Sequence, residues 1–202
     1  MTADQQPPSW DERYQHQAVE TMPWFYPELY DDLGQALNQL GLHGGSALDL
    51  GTGPGTQAMQ LARRGFDVTA TDLSQAAVEL ARQKAEAQGL AIAWRQDDIL
   101  ASRLVGQFDL ILDRGCFHVL PAERRQDYVG TVTSLLRPGG YFFLKCFSHL
   151  QPGTQGPNRF TPEQIHEIFS SRLQVLSIDQ TIYQGTLDPL PRALFCAMRR
   201  EA

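Results

Sequence analysis

Three glycines stand at alternate positions behind an apolar run and an acid in the segment SALDLGTGPGTQ, residues 46–57. Glycine at Gly51, Gly53 and Gly55 lets the backbone turn sharply and approach a ligand closely. Free N–H groups at the start of a following helix attract polar or negative groups. The dinucleotide pattern G-x-G-x-x-G fails, because its last position is Thr56. No Gly-Lys-Ser/Thr follows, which excludes a Walker phosphate loop.

Four acids fall at the carboxyl ends of four successive predicted strands: Asp49, Asp72, Asp98 and Asp113. An acid at the position of Asp72 can accept hydrogen bonds from both hydroxyls of a ribose. Asp98 is placed to accept a hydrogen bond from the exocyclic amine of a base. Clustered carboxylates suit a cation better than a phosphate. The pattern therefore predicts a ligand that carries a ribose, an amine and a positive centre.

The glycine turn and these acids resemble the class I S-adenosylmethionine-dependent methyltransferases, from Ala47 to about Tyr141 by motif. The resemblance implies S-adenosylmethionine as cofactor and S-adenosylhomocysteine as product. It also implies that Asp49, Gly51 and Gly53 line the methionine part of the cofactor. The other residues assigned to the cofactor by this interpretation are Thr52, Gly55, Asp72 at the ribose, Asp113 and Trp24.

For the adenine, the resemblance implies that Leu73 packs on the ring, while Asp98 and the backbone of Ile99 contact its edge. Each of these features has a structural alternative. A run of alternating glycines is often only a tight turn, and an acid at a strand end is often a helix cap. The agreement of four such features in register favours the cofactor interpretation.

Two further segments narrow the resemblance to a group of small-molecule methyltransferases. DRGCFHVL after the fourth strand looks like the thiopurine-type small-molecule methyltransferases. The N-terminal segment WDERYQHQAVETMPWF is similar to the Trp-plus-Pro-Trp flap of that group and of tellurite-resistance and thiol methyltransferases. In those families the flap closes over the cofactor, which would bring Trp24 to it.

Two residues of the fourth-strand segment are candidate catalytic groups. Arg114 is a cation that could favour the anion of a thiol, selenol or similar soft acceptor. His118 is the general-base candidate for a hydroxyl or protonated amine, because the unperturbed pKa of imidazole lies in the working range. The structural alternative for His118 is a semi-buried, hydrogen-bonded position. Cys116 is predicted to be a small packing residue.

The elements that position these residues alternate between strand and helix. Strands are predicted at 47–50, 67–71, 91–95, 108–112, 141–147, 173–183 and 193–199, and helices at 28–42, 56–64, 74–88, 121–136 and after Thr161. This order predicts an α/β fold with a Rossmann-like, seven-stranded, mostly parallel sheet. Helices should cover both faces, and the last two strands should form an antiparallel hairpin.

The chain is predicted to form an N-terminal flap, residues 1–27, and a single methyltransferase domain, residues 28–202. The flap is rich in proline, glutamine and aromatic residues and too irregular for a long helix. A capping box is expected at Thr161 and Gln164. Arg159 and Phe160 are either part of the acceptor pocket or, for Phe160, a hydrophobic staple.

Composition and motifs argue against several classes of protein and of binding site. The net charge of -6 argues against nucleic-acid binding, which depends on clustered Lys and Arg. The fourth strand also lacks the Asn/Asp-Pro-Pro-Tyr/Phe of nucleic-acid amino-methyltransferases. Three cysteines without C-x-x-C spacing disfavour a disulfide framework and a metal site. No signal peptide or membrane-spanning run is recognisable, which predicts a cytoplasmic protein without membrane contact. The oligomeric state stays open.

The sequence leaves several functions open. The first is methyl transfer to a small-molecule acceptor, at sulfur, selenium or tellurium. The second is methyl transfer to a protein side chain or to a carboxylate or amine metabolite. The third is a binding module that keeps the cofactor pocket and does not turn over. A nicotinamide-dependent reductase is the weakest alternative, because the third glycine of the G-x-G-x-x-G pattern is missing.

Overall fold

The computed structural model describes residues 9–201, and its centre is one mixed sheet. The strands are β1 (Gly45–Leu50), β2 (Phe66–Asp72), β3 (Ala93–Gln96), β4 (Phe108–Arg114), β5 (Leu136–Ser148), β6 (Arg159–Phe160), β7 (Gln174–Ile182) and β8 (Arg192–Arg199). Their order is β3-β2-β1-β4-β5-β8-β7, and β6 pairs with β5. The pairs within β3-β2-β1-β4-β5 are parallel, whereas β8 is antiparallel to β5 and to β7.

Helices cover both faces of the sheet, as predicted. They are α1 (Trp10–His16), α2 (Asp31–Gln39), α3 (Thr56–Arg63), α4 (Gln75–Glu86), α5 (Arg125–Leu135) and α6 (Pro162–Phe169). Apolar residues of α2, α3 and α4 form the core on one face, and those of α5 and α6 form the core on the other. No helix within residues 9–201 is both long and apolar enough to cross a bilayer.

The strand register brings the predicted acids to one edge of the sheet. Leu50 at the end of β1 pairs with Thr71 of β2 on one side and with Asp113 of β4 on the other. Because parallel strands point the same way, the turns that follow β1, β2 and β4 lie side by side. The carboxyl edge of the sheet is thus where a ligand of this fold is expected.

Several predicted boundaries differ from the structure. The sheet has eight strands rather than seven, because the segment after the Pro/Gly-rich loop adds β6 beside β5. The helix predicted from Pro121 starts as a 3-10 turn over Ala122–Arg124, and α5 begins at Arg125. The predicted RPGG turn lies within β5, which already starts at Leu136. The predicted caps are confirmed: Ser74 caps α4, and Thr161 and Gln164 form a capping box on α6.

The N-terminal segment is more regular than predicted. Trp10–His16 forms α1, which starts at a complete capping box between Ser9 and Glu12, and Val19–Thr21 forms a 3-10 turn. The sequence signal for α1 is the Ser-x-x-Glu pattern at its start. Residues 1–8 of the predicted flap lie outside the described residues, and the division at residue 27 stays a prediction.

Candidate active site

The glycine turn lies at the carboxyl end of β1 and leads into α3. Gly51, Gly53 and Gly55 all have positive φ, at 61°, 51° and 76°. A Cβ atom on Gly53 would lie 2.5 Å from the Tyr14 hydroxyl, so a larger residue does not fit there. The N–H of Thr52 donates to the carbonyl of Thr71 at 2.8 Å, which fixes the turn to β2. The turn is therefore a rigid, narrow cradle at the sheet edge.

Asp49 is buried beneath this turn. Its carboxylate accepts a hydrogen bond from the Thr52 hydroxyl at 2.6 Å. Burial raises its pKa to about 7, an effect opposed by the Thr52 hydrogen bond and increased by the nearby Asp113 carboxylate. Asp49 and Thr52 thus form one buried polar unit directly under the three glycines.

Asp72 connects the glycine turn to the start of α4. One carboxylate oxygen accepts the N–H of Gly53 at 2.8 Å, and the other accepts the N–H of Ser74 at 2.9 Å. Burial raises the pKa of Asp72, and these backbone hydrogen bonds oppose that effect. A carboxylate oxygen has two lone pairs, so each oxygen keeps one acceptor site for a ligand hydroxyl. The assignment of Asp72 to a ribose stays a prediction.

The predicted adenine contacts surround the end of β3. Leu73 is 54% exposed, although it is a large apolar residue. Asp98 is exposed and accepts the N–H of Leu100 at 2.9 Å, whereas Ile99 is buried. The N–H of Asp97 donates to the carbonyl of Asp72 at 3.0 Å, which holds this turn beside the end of β2. An exposed leucine beside a polar turn is the arrangement that a flat, polar-edged ring needs.

Asp113 does not fit its predicted role. It is fully buried and accepts hydrogen bonds from the N–H groups of Gly115 at 2.9 Å, Cys116 at 2.8 Å and Phe117 at 2.8 Å, and from the Tyr128 hydroxyl. These four donors leave no face for a cofactor. Asp113 instead fixes the turn after β4, and we no longer assign it to ligand binding.

Arg114 connects three segments. Its guanidinium donates to the carbonyl of Trp24 at 2.9 Å and to the carbonyl of Gln184, and it lies 4.5 Å from the ring centre of Tyr183. Within residues 9–201 it forms no ion pair, and its buried Nε has no hydrogen-bond partner. Arg114 thus remains a positive charge without a carboxylate partner at the edge of the sheet.

His118 occupies the structural position that the sequence left as the alternative. It is buried, stacked 5.8 Å from Tyr183 and edge-on to Phe147 at 5.1 Å, and its Nδ1 accepts the N–H of Phe147 at 3.2 Å. Burial, together with the Arg114 charge, lowers its pKa to about 3. This environment favours the structural alternative, and the general-base role stays a prediction. A neutral ring whose Nδ1 is already an acceptor is a poor general base.

The N-terminal segment lies against the glycine turn. The Trp24 indole N–H donates to the Tyr14 hydroxyl at 3.2 Å, and the Trp24 ring meets Trp10 edge-on at 5.7 Å. Asp11 accepts hydrogen bonds from the Ser74 hydroxyl at 2.8 Å and the Ala76 N–H at 2.9 Å. Trp24 thus lies close to the cradle, and its contact with the cofactor stays a prediction. Sequence reasoning missed Tyr14 and Asp11, and their spacing along α1 was the available signal.

A second buried polar group was also missed. Lys145 of β5 is 0% exposed and pairs with Asp32 of α2, and its ammonium donates to the Gln184 side chain at 2.7 Å. Burial lowers the pKa of Lys145 to about 8, although Asp32 opposes this change. The Tyr30 ring centre lies 4.6 Å from the Lys145 ammonium. A lysine inside the apolar strand YFFLKCF was the signal in the sequence.

The two residues at the end of the loop after β5 had more than one predicted role, and their contacts favour packing. Phe160 is buried in the core, with its ring 5.1 Å from that of Phe117. The Arg159 side chain donates to four carbonyls of its own loop, those of Gln151, Pro152, Gln155 and Pro157. Phe160 is therefore a packing residue, and Arg159 closes the loop rather than lining an acceptor pocket.

Comparison with known proteins identifies the family. A family model described as a methyltransferase domain matches residues 47–140. The 2-heptyl-1-hydroxyquinolin-4(1H)-one methyltransferase of Mycobacteroides abscessus is 28% identical over 152 residues, 73% of this chain and 66% of that protein. Together these matches support a class I S-adenosylmethionine-dependent methyltransferase.

Solved structures show the same fold. A structure that concerns the conversion of a disulfide bond into a thioacetal group during echinomycin biosynthesis has a TM-score of 0.82 at 24% identity, covering 95% of this chain and 92% of that one. TehB from Haemophilus influenzae has a TM-score of 0.71 at 20% identity, covering 86% of this chain and 63% of that one. At such identities these likenesses establish the fold of this methyltransferase.

The residues of this methyltransferase fit the cofactor of the family. The glycine cradle admits no side chain at Gly53, and Asp72 keeps free acceptor sites beside it. Leu73 and Asp98 provide an exposed apolar surface and a carboxylate at the end of β3. S-adenosylmethionine supplies an activated methyl group on a sulfonium, so the protein has to bind, align and exclude water.

Proposed function

We propose that this methyltransferase transfers a methyl group to a small-molecule acceptor that reacts as an anion, most simply at sulfur, selenium or tellurium. One observation carries the proposal. At the edge of the sheet lies Arg114, whose guanidinium has no carboxylate partner in residues 9–201. The nearby imidazole of His118 is buried, and burial lowers its pKa to about 3, so it is neutral. A thiol is partly ionised near neutral pH and needs no base, and a nearby positive charge lowers its pKa further.

The chain's residues have separate tasks in this scheme. Asp49, Thr52 and the glycine turn hold the methionine end of the cofactor, and Asp72 accepts from its ribose. Asp98 and Ile99 bind the adenine edge. The N-terminal segment, held by Arg114 through the Trp24 carbonyl, excludes water from the reacting atoms. Alignment of this kind is sufficient when the donor already carries the activation.

Two of the similar proteins are named for the chemistry of small molecules. The structure with a TM-score of 0.82 concerns sulfur chemistry, the conversion of a disulfide bond into a thioacetal group. The Mycobacteroides abscessus relative is named for a hydroxyquinolinone, a small molecule. We take sulfur, selenium or tellurium as the first acceptor atoms to test, and oxygen next.

Two relatives favour other acceptors. The EEF1A lysine methyltransferase 2 of Danio rerio is 32% identical over 139 residues, and this chain spans 54% of it. The tRNA 5-carboxymethoxyuridine methyltransferase of Escherichia coli is 34% identical over 125 residues, and this chain spans 47% of it. The net charge of -6 disfavours tRNA as acceptor, because tRNA carries a phosphate backbone. A protein side chain or an amine or carboxylate metabolite is the second hypothesis, and cofactor binding without transfer is the third.

Incubation with radiolabelled S-adenosylmethionine tests the three hypotheses. The acceptor panel should contain thiophenol, thiopurines, selenite and tellurite, together with amine and carboxylate metabolites and with protein and RNA fractions. Label in a product of the thiols, thiopurines, selenite or tellurite supports the proposal. Label only in protein, RNA or amine and carboxylate metabolites contradicts it and favours the second hypothesis, whereas cofactor binding without any labelled product favours the third. The Asp72→Ala variant, which should lose the cofactor, is the negative control.

A further inference from the structure

Tyr30, the residue before α2, has a buried hydroxyl group that the fold does not use. The residue is 0% exposed, and its hydroxyl has no hydrogen-bond partner within residues 9–201. Three other tyrosine hydroxyls form hydrogen bonds. That of Tyr128 donates to Asp113, that of Tyr183 donates to the carbonyl of Arg114 at 2.9 Å, and that of Tyr14 accepts from the Trp24 indole. A buried hydroxyl without a partner costs about 1–3 kcal/mol, which a purely structural residue could avoid as phenylalanine.

The surroundings of Tyr30 place this hydroxyl beside the cofactor cradle. Its ring meets Phe195 edge-on at 6.1 Å and has the Arg114 guanidinium 5.8 Å from its centre. Burial raises its pKa well above the ordinary value. The Arg114 charge opposes this change, while the nearby carboxylates of Asp49 and Asp32 add to it. The Tyr30 phenol thus lies near three charged side chains: that of Asp49 under the glycine turn, that of Arg114 at the end of β4, and that of Asp32 in α2.

The charged side chains around Tyr30 differ in whether they are paired. The Lys145 ammonium is paired with Asp32, which also accepts the Thr181 hydroxyl at 3.1 Å. Arg114 has no carboxylate partner in the part of the chain that the structure describes, and its Nε, like the Tyr30 hydroxyl, is buried without a hydrogen-bond partner. The Tyr30 hydroxyl and the Arg114 Nε are thus two buried donors without acceptors, and the Arg114 guanidinium lies 5.8 Å from the centre of the Tyr30 ring. A ligand atom that is negative and accepts hydrogen bonds would match these donors.

We propose that the Tyr30 hydroxyl is a binding and positioning group for the acceptor, to whose anionic sulfur or equivalent atom it donates a hydrogen bond. This inference rests on the proposed function and specifies its acceptor site. In the transfer, the acceptor sulfur forms a bond to the methyl carbon as the bond from that carbon to the sulfonium sulfur breaks. The electron pair stays on the sulfonium sulfur, which becomes neutral. No proton moves, and Tyr30 keeps its own.

The Tyr30→Phe variant tests this inference, with Tyr141→Phe, at a half-buried position of β5, as a matched control. Each protein is saturated with S-adenosylhomocysteine, which cannot donate a methyl group, and titrated with thiophenol in a calorimeter. We expect thiophenol to bind on the order of 10- to 100-fold more weakly to Tyr30→Phe than to the wild type, as one lost hydrogen bond to an anion implies. Tyr141→Phe should bind thiophenol like the wild type.

Three outcomes would overturn the inference. The first is equal affinity of Tyr30→Phe and wild type for thiophenol, and the second is no binding of thiophenol to the wild type. The third is a loss of affinity of Tyr30→Phe for S-adenosylhomocysteine itself, which would assign the hydroxyl to the cofactor. Because S-adenosylhomocysteine allows no turnover, this titration is independent of the labelling experiment. A wild type that binds thiophenol but transfers no label would contradict the proposed function alone.

Discussion

The carboxylate of Asp11 accepts a hydrogen bond from the hydroxyl of Ser74, the residue that caps α4, at 2.8 Å. It also accepts the N–H of Ala76 at 2.9 Å, so a residue of α1 satisfies a free donor in the first turn of α4. A negative group at this helix end is also favoured by the helix dipole. The N-terminal segment is thus attached beside Asp72 and Leu73, where the nucleoside of the cofactor is expected.

Replacing Asp11 by alanine should release this segment. We expect the Asp11→Ala variant to be cleaved several-fold faster by a protease within residues 9–30, because α1 loses its attachment to α4. Its affinity for S-adenosylhomocysteine should fall, since a loosened segment no longer covers the site. Limited proteolysis with mass spectrometry, with and without the ligand, measures both effects. Asp67→Ala, at an exposed position of β2, is the control, and equal cleavage of the two variants would contradict the prediction.

Asp72 should contribute strongly to cofactor affinity. The Asp72→Ala variant loses a charged acceptor for two ribose hydroxyls, at about 1.5–3 kcal/mol per hydrogen bond. We expect affinity for S-adenosylhomocysteine to fall by about 100-fold or more, measured by calorimetry.

Because Asp72 also accepts the N–H groups of Gly53 and Ser74, the turn could be disturbed in the alanine variant. The Asp72→Asn variant keeps the shape of the side chain and one acceptor oxygen, so it separates loss of the charged ribose acceptor from disturbance of the turn. Asp67→Asn is its control. Affinity within twofold of the wild type in Asp72→Asn, with an unchanged circular dichroism spectrum, would refute the ribose assignment.

The burial of His118 predicts a loss of stability in acid. Its folded-state pKa of about 3 lies below the ordinary 6.5, so the folded protein binds the proton less well than the unfolded chain. The stabilisation from the neutral ring is complete above pH 6.5 and is lost as the pH falls from 6.5 towards 3. His118→Asn keeps an acceptor for the Phe147 N–H but cannot ionise. The free energy of unfolding of the wild type should therefore fall by about 2–3 kcal/mol relative to His118→Asn between pH 7 and pH 4.

Urea denaturation at a series of pH values measures this difference. In the same variant we expect methyl transfer to stay within about tenfold of the wild type, because a buried imidazole is not the base. A rate profile with an imidazole limb near pH 6.5 that disappears in His118→Asn would restore the general-base hypothesis.

Local patterns in the sequence predicted the parallel sheet and the caps at Ser74 and Thr161, because strands, turns and caps depend on neighbouring residues. The surroundings of Asp113 and His118 depend on distant partners. Asp113 is enclosed by Tyr128 of α5, and His118 is buried by Phe147 and Tyr183 from two other segments. Spacing along the chain contains no information about such contacts.

The same reason explains why the Tyr30 and Lys145 group was missed. Its members come from the segment before α2, from β5 and from the turn after β7, so no motif of adjacent residues contains them. The only local signal was the lysine itself, since a cation in an apolar strand needs a buried partner. The identity of that partner, Asp32, required the packing of α2 on the sheet.

Removing only one partner of the ion pair between Lys145 and Asp32 should destabilise the protein. Lys145→Met leaves the Asp32 carboxylate, 19% exposed, with the Thr181 hydroxyl alone. We expect the free energy of unfolding at pH 7 to fall by about 2–4 kcal/mol, because an unpaired charge remains in a largely buried position. In the double variant Lys145→Met, Asp32→Leu no unpaired charge is left, and stability should return to within about 1–2 kcal/mol of the wild type.

The exposed pair between Lys84 and Glu20, at 3.2 Å, is the matched control. Lys84→Met should change the free energy of unfolding by about 0–1 kcal/mol, because water screens both charges. Urea denaturation of the four proteins and of Asp32→Leu completes a double-mutant cycle. Equal effects of Lys145→Met and Lys84→Met, or a double variant that loses the sum of its single variants, would show that the two side chains are not coupled. In that case the ammonium of Lys145 would have to be stabilised chiefly by Gln184 and the Tyr30 ring.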